Sequence, residues 1–221
     1  GLISPILANV YLHYVLDLWF EKCIKKQLYG EAYLVRFADD FLIMFQYERD
    51  AQRVYEAIIK RMELFGLELS KEKTRILPFG RYSASRETFD FLGFTHFNSK
   101  TRKGYYTVGH KISRKKKKQF KSNLKKWVKK NRDKQFDEFM KKLNKKLTGS
   151  FNYYSLSGMI REVRNLWNHA QYVTFKWLNR RSQRRSFKLE RFYEIWNDLI
   201  VHPYIHVDIW SGDKVIYNKN V

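Results

Sequence analysis

Cysteine is almost absent from the chain. Cys23 stands alone, so no internal disulfide can form, and a reducing, cytoplasmic setting is expected. The six His are scattered, and no Cys pair or His pair has ligand spacing, so no structural zinc site is expected. Acids are scarce as well: 22 Asp+Glu stand against 44 Lys+Arg, a formal charge of +22, which excludes an ordinary acidic cytosolic enzyme. No long uncharged apolar run is present. The first twenty residues come nearest, but Asn9, His13 and Asp17, spaced by four, share one helical face, which predicts a mostly buried amphipathic helix and no membrane span. What the chain does hold is apolar and aromatic. Hydrophobic residues make up 44%, with 15 Tyr, 17 Phe and 6 Trp, and this excludes a disordered basic tail, which lacks the apolar area to offset chain entropy. The length suits one large domain or two small ones. So lopsided a charge calls for a polyanion, with nucleic acid ahead of an anionic membrane surface.

Along the chain, Ser4-Pro5 reads as N-cap and first helical residue of a helix running to about residue 26. Two short aromatic and β-branched runs follow, 33–37 and 41–45, separated by Ala38-Asp39-Asp40, which is the pattern of a β-hairpin with acids in its turn. Residues 49–65 carry Val54, Ile58, Met62 and Phe65 at helical spacing before Gly66, predicting an amphipathic helix. Strands are expected at 67–69, 74–77, 88–94 and 105–108, divided by Pro78, Gly80, a polar stretch and Gly104. Past Lys111 the texture changes. Residues 111–135 hold 13 Lys+Arg and one acid, Asp133, around an apolar stripe of Phe120, Leu124, Trp127 and Val128, as in a basic helix resting on a core. More helices are expected at 133–146, 159–178 and 189–199, with a break marked by Gly149, Ser155 and Gly158. The expected class is α+β: residues 1–110 as a mixed unit and 111–221 as a basic all-helical one.

Acids on a tight turn between two strands are held rigidly yet exposed. Nucleotidyl transfer uses divalent metals, commonly two, to stabilise attacking and leaving oxygens, and Mg²⁺ prefers carboxylate oxygens. Asp39 and Asp40 suit that chemistry, although Asp is also a common residue of plain solvated turns.

The order of further motifs favours the metal reading. Gly1-Leu2-Ile3-Ser4-Pro5-Ile6-Leu7-Ala8-Asn9-Val10-Tyr11-Leu12, Val35-Arg36-Phe37-Ala38-Asp39-Asp40-Phe41, Gly66-Leu67-Glu68-Leu69-Ser70-Lys71-Glu72-Lys73-Thr74 and Phe89-Asp90-Phe91-Leu92-Gly93-Phe94 resemble, in order, the late palm motifs of the reverse transcriptases of group II introns, the intron-encoded maturases. The runs 147–154 and 177–186 resemble that family's thumb, or maturase, region, so the likeness spans nearly the whole chain. It implies a partial polymerase palm, an antiparallel sheet with packed helices, followed by a helical thumb bundle, and RNA-directed DNA synthesis as the parent activity. It further implies Mg²⁺ on Asp39 and Asp40, dNTP as substrate, Lys73 as general acid towards pyrophosphate, and Phe91, Leu92 and Gly93 in the primer grip. Lys73 also reads as a surface lysine in a charge run, and residues 89–94 as a plain buried strand bent at Gly93. Phe37 replaces the family's usual Tyr, which points to a tuned nucleotide pocket.

The family's first carboxylate and its triphosphate-binding fingers lie upstream of the motif that opens at Gly1, so the chain reads as a piece of something longer that does not polymerise alone, and whose exposed palm surface invites self-association. Two dense cationic groups are expected to bind phosphates: Lys111, Arg114, Lys115, Lys116, Lys117, Lys118, Lys121, Lys125 and Lys126, and then Arg180, Arg181, Arg184 and Arg185. In family terms this surface clamps the primer-template duplex and holds intron RNA during splicing. The alternative function is a non-catalytic RNA-binding maturase. Tyr153, Tyr154 and Trp167 are candidates for stacking on bases or for core packing.

Overall fold

The computed structural model describes residues 3–70, 72–181, 183 and 186–205. The class is α+β, with six α-helices and two small sheets among the described residues. The chain divides into two compact units, Gly1–Leu92 with Phe97–Val108, and Gly93–His96 with Gly109–Val221.

The first unit opens with α1 (Ser4–Leu12). Ile3 stands at the N-cap without a side-chain bond, so Ser4 is the first helical residue rather than the cap expected from the sequence. The path stays helical to Gln27, but through two π turns, His13–Asp17 and Phe20–Ile24, and a 3₁₀ turn, Lys25–Gln27. This corrects the single buried helix. α1 buries none of its residues, and Val15, Leu16, Phe20 and Ile24 in the π turns carry the burial instead.

Strands β1 (Ala32–Phe37) and β2 (Asp40–Phe45) pair antiparallel, Ala32 opposite Phe45 and Phe37 opposite Asp40. Period-two alternation sends Ala32, Leu34, Phe41, Ile43 and Phe45 into one core with Val54, Ile58 and Met62 of α2 (Glu48–Leu64). Arg36 alternates onto the same side but is polar. Its fork closes on Asp17, Nε–Oδ1 at 2.7 Å and Nη2–Oδ2 at 2.6 Å. α2 ends in a Schellman motif: Leu67 N–H donates to Met62 O, Gly66 N–H donates to Glu63 O, and Gly66 takes φ +66°. Asp50, 1% exposed in the first turn of α2, accepts the Tyr29 and Gly30 N–H groups at 3.0 Å each. That clamp fixes the approach to β1. A Cβ at Gly30 would stand 2.6 Å from the Tyr47 ring, so a larger residue there must displace that ring.

The expected strands at 67–69 and 74–77 are irregular chain. Their alternation is real but too short to recruit a ladder partner. The expected strand 88–94 is a hairpin: β3 (Thr88–Phe91) turns at Leu92-Gly93 into β4 (Phe94–Lys100), and β5 (Tyr106–Ile112) completes a sheet of order β3-β4-β5. Leu92 and Gly93 both have positive φ, +50° and +82°, the pattern of a type I′ turn.

The second unit holds α3 (Arg114–Asn131), α4 (Phe136–Tyr154), α5 (Ile160–Leu178) and α6 (Leu189–Leu199). Their apolar stripes meet in one core that includes Leu124, Leu143, Leu147, Val163, Phe192 and Trp196, and α3 packs on α5. Gly149 lies inside α4, so the expected break falls only at 155–158, where Gly158 takes φ +81°. Leu147 and Phe151, buried on either side of Gly149, hold the helix together through it.

Two outcomes follow from these contacts. Asp50→Ala strands two backbone donors and costs about 3 kcal/mol, whereas exposed Glu48→Ala stays within about 0.5 kcal/mol; urea unfolding measures both. The hydrogen bond from Arg36, followed by contributions from His13, holds the Asp17 carboxyl below its ordinary value against the opposing effect of burial. A depressed carboxylate contributes stability that is complete above the unfolded value near ~3.9 and is lost as pH falls through the folded one. The stability gap between the wild type and Asp17→Asn, measured by urea unfolding, therefore shrinks as pH is lowered below about 4.

Candidate active site and nucleic-acid interface

The β1–β2 connection is a two-residue turn, Ala38-Asp39, and Asp40 is the first residue of β2. Ala38 has φ +53°, the only positive value in the turn, as at the first central position of a type II′ turn. A non-glycine residue pays about 1–2 kcal/mol for that region. Asp39 and Asp40 are both exposed, and among the described residues neither carboxylate has a hydrogen-bond or ion-pair partner. Two adjacent, unengaged carboxylates at a rigid corner match the oxygen donors a hard divalent cation takes. They supply only part of a site: among the described residues no three His, Cys, Asp or Glu side chains gather as metal ligands. Phe37, beside the turn, is exposed.

Sequence reasoning missed how the corner is tied down. Arg36 Nη1 donates to Asn9 Oδ1 at 2.9 Å and to the Ala38 carbonyl at 2.9 Å, while the rest of the guanidinium holds Asp17. His13 Nδ1 lies 3.3 Å from Asp17 Oδ2. The helical spacing of Asn9, His13 and Asp17 shows in the sequence as a polar stripe, but the cation on which Asn9 and Asp17 converge sits in another element. Asp17 in return raises the Arg36 pKa.

Lys73 lies exposed on a turn closed by its N–H on Ser70 O at 3.0 Å, with no side-chain partner among the described residues. Phe91, Leu92 and Gly93 form the end of β3 and its turn. The Gly93 carbonyl accepts the Ser113 N–H at 3.0 Å, and a Cβ at Gly93 would meet Lys116 Cγ at 3.5 Å. Gly93 and Lys116 are therefore neighbours. Ser113 caps α3, its Oγ accepting the Lys116 N–H at 3.4 Å.

On α3, Arg114, Lys118, Lys121, Lys125 and Lys129 recur every three or four residues and are exposed, along a strip beside buried Leu124 and Val128. Lys111, Lys115, Lys116 and Lys126 are exposed as well. Lys117 departs from the group, being half-buried and paired with Glu162 of α5. Burial first and the Lys121 charge second lower the His169 pKa.

Around the end of α5 the signal the sequence hid is Trp177. Lys129, Arg132 and Arg180 all stand 5.5–5.6 Å from its ring centroid. Arg181 instead reaches the Leu178 and Arg132 carbonyls at 3.2 and 3.5 Å, capping helix ends. Arg184 and Arg185 lie outside the described residues. Trp167 is a core residue, its Nε1–H donating to Val201 O at 3.1 Å. Tyr153 is half exposed and stacks on Phe94, while burial first and Tyr153 second raise the Tyr154 pKa.

No helix among the described residues is long and apolar enough to cross a membrane. No curated protein matches the chain. Residues 1–96 match the family described as reverse transcriptase (RNA-dependent DNA polymerase), and residues 117–194 match the group II intron, maturase-specific domain. With the acid-bearing hairpin inside the first match and most of α3, together with α4 and α5, inside the second, the chain belongs to the group II intron reverse transcriptases and maturases.

Proposed function

We propose that the first unit serves as part of the palm of an RNA-directed DNA polymerase and that the helical unit serves as its thumb, binding RNA template and primer-template duplex. The observation that carries this reading is the turn that presents Asp39 and Asp40 with both carboxylates unengaged. Asp39 and Asp40 would hold Mg²⁺, which when bound supplies charge stabilisation of the attacking and leaving oxygens. The chain's own share is to hold two carboxylates at a fixed corner, to leave Lys73 free as a proton donor towards pyrophosphate, and to seat the primer end against the turn at Phe91, Leu92 and Gly93.

The cationic face of α3 supports the binding half of the proposal. Five consecutive cations, Arg114 to Lys118, crowd the first turns of a helix that has no acid there. The macrodipole makes that end positive already, so the arrangement is unfavourable until an anion arrives. A phosphate backbone relieves both charges at once. The rest of α3 lies inside the maturase-specific match, and its cations also favour binding of structured intron RNA, as a maturase requires. The apolar residues that α1 leaves exposed, Ile3, Ile6, Leu7 and Val10, offer a surface for self-association.

Joint replacement of Lys115, Lys116 and Lys118 by Gln, with Lys117 left in its pair with Glu162, weakens RNA binding and lowers the slope of log affinity against log salt by about 2–3. Filter binding or fluorescence anisotropy across a salt series measures it, and an unchanged slope removes these lysines from the interface. By themselves the 221 residues extend no primer; joined to the remaining parts of a polymerase site they extend one on an RNA template with Mg²⁺, and Asp39→Asn lowers that extension by about a hundredfold or more. Undiminished extension by the Asp39→Asn protein would exclude Asp39 as a metal ligand.

A further inference from the structure

We propose that Arg36 is the positioning residue of the acid-bearing turn, acting through the Ala38 carbonyl. The carbonyl that Arg36 Nη1 bonds at 2.9 Å belongs to the peptide unit joining Ala38 to Asp39. Rotating that unit changes ψ of Ala38 and φ of Asp39 together, so a bond to its oxygen fixes the direction in which Asp39 leaves the turn. Ala38 sits at φ +53°, a region that surrounding structure must impose on a residue with a Cβ. No residue type in the turn favours that region, since it has no glycine, proline or asparagine, and the Phe37–Asp40 pair closes the turn from below. The guanidinium adds a bond on the Ala38 carbonyl itself.

Arg36 is itself immobilised from two other elements. Asp17, in the first π turn, takes Nε and Nη2 at 2.7 and 2.6 Å, and Asn9 of α1 takes Nη1 at 2.9 Å. Its side chain is only 12% exposed, so water competes poorly for these bonds. A planar fork with five fixed donors can serve two carboxylate oxygens, an amide oxygen and a backbone carbonyl together, whereas a lysine ammonium, with three donors on one flexible atom, cannot. The π turn has a role here as well, since it sets the side chain of Asp17 beneath the fork. Arg36 touches neither metal nor substrate. It acts on the acids through the backbone, and its consequence for metal binding rests on the palm reading given above.

The test uses the 221-residue protein and the variants Arg36→Lys and Asn9→Ala, the second at an exposed residue whose loss leaves the Asp17 pair intact. Amide hydrogen exchange of Asp40, which pairs with Phe37 across the turn, is compared with exchange of Val35 and Leu42, a hydrogen-bonded pair in the middle of the same hairpin, and Mn²⁺-induced broadening of the turn amides is titrated in parallel. In Arg36→Lys, exchange of Asp40 rises about tenfold relative to Val35 and Leu42, and half-broadening needs about threefold more Mn²⁺. Asn9→Ala changes both in the same direction by less, and decides the matter should Arg36→Lys fail to fold. Unchanged exchange of Asp40, or an equal rise along the whole hairpin, overturns the proposal, because Arg36 would then be inert or a general stabiliser. A wild-type protein whose turn shows no Mn²⁺ broadening sinks the metal reading of Asp39 and Asp40 alone; the exchange comparison still decides what Arg36 does.

Discussion

One ion pair organises the first unit. Arg36 and Asp17 belong to different elements, and their bidentate contact joins the acid-bearing hairpin to the helical path before it. A partly buried charge pair contributes little to stability beyond what well-packed apolar residues would give, because desolvation offsets much of the attraction. Its value is directional. Apolar contacts between the hairpin and α2 fix which face is buried, yet they tolerate small slides, whereas a fork on two carboxylate oxygens tolerates few. The corner carrying Asp39 and Asp40 is therefore located by the polar network and merely supported by the core.

The second unit solves a different problem. Its interior is an ordinary helical core, with Leu143, Leu147, Val163, Phe192 and Trp196 fully buried, so its fold does not depend on the outer charge. The outer charge is costly: α3 places cations where its own dipole is positive, and Lys117 is paired with an acid across the helix pair. Trp177 softens the same repulsion at the other end of α3 by lending its ring to Lys129, Arg132 and Arg180. Stability given up on a surface in this way is recovered when a polyanion binds, and the gain appears as salt-dependent affinity.

How much of this was legible in the sequence depended on the range of the interaction. The hairpin, α2 with its Gly66 stop, and α3, α5 and α6 were readable because periodicity and capping act within a few residues. The failures share a cause. Residues 67–69 and 74–77 alternate as strands do, yet a strand needs a partner, which no local pattern announces. Gly149 breaks nothing because Leu147 and Phe151 bury the helix around it, a tertiary effect that overrides propensity. At the site, Asp39, Asp40 and the cationic run were visible as residue types at suggestive places. The partners of Arg36 and the three cations around Trp177 were not, since each gathers residues from separate elements.

The attachment of α1 shows where that polar network matters most. The helix buries no side chain and leaves Ile3, Ile6, Leu7 and Val10 exposed, so apolar packing holds it to its unit only weakly, through the edge of the Tyr11 ring on Phe65. What holds it is directional: Asn9 on Arg36 at 2.9 Å, and the Tyr11 hydroxyl donating to Phe65 O at 2.7 Å past the end of α2. The helical path runs on from α1 into the buried π turns, so these bonds fix the direction of its free end. The same guanidinium therefore orders α1 and aims the turn, and anything that covers the apolar side of α1 would steady Asn9, hence Arg36, and hence the peptide that carries Asp39.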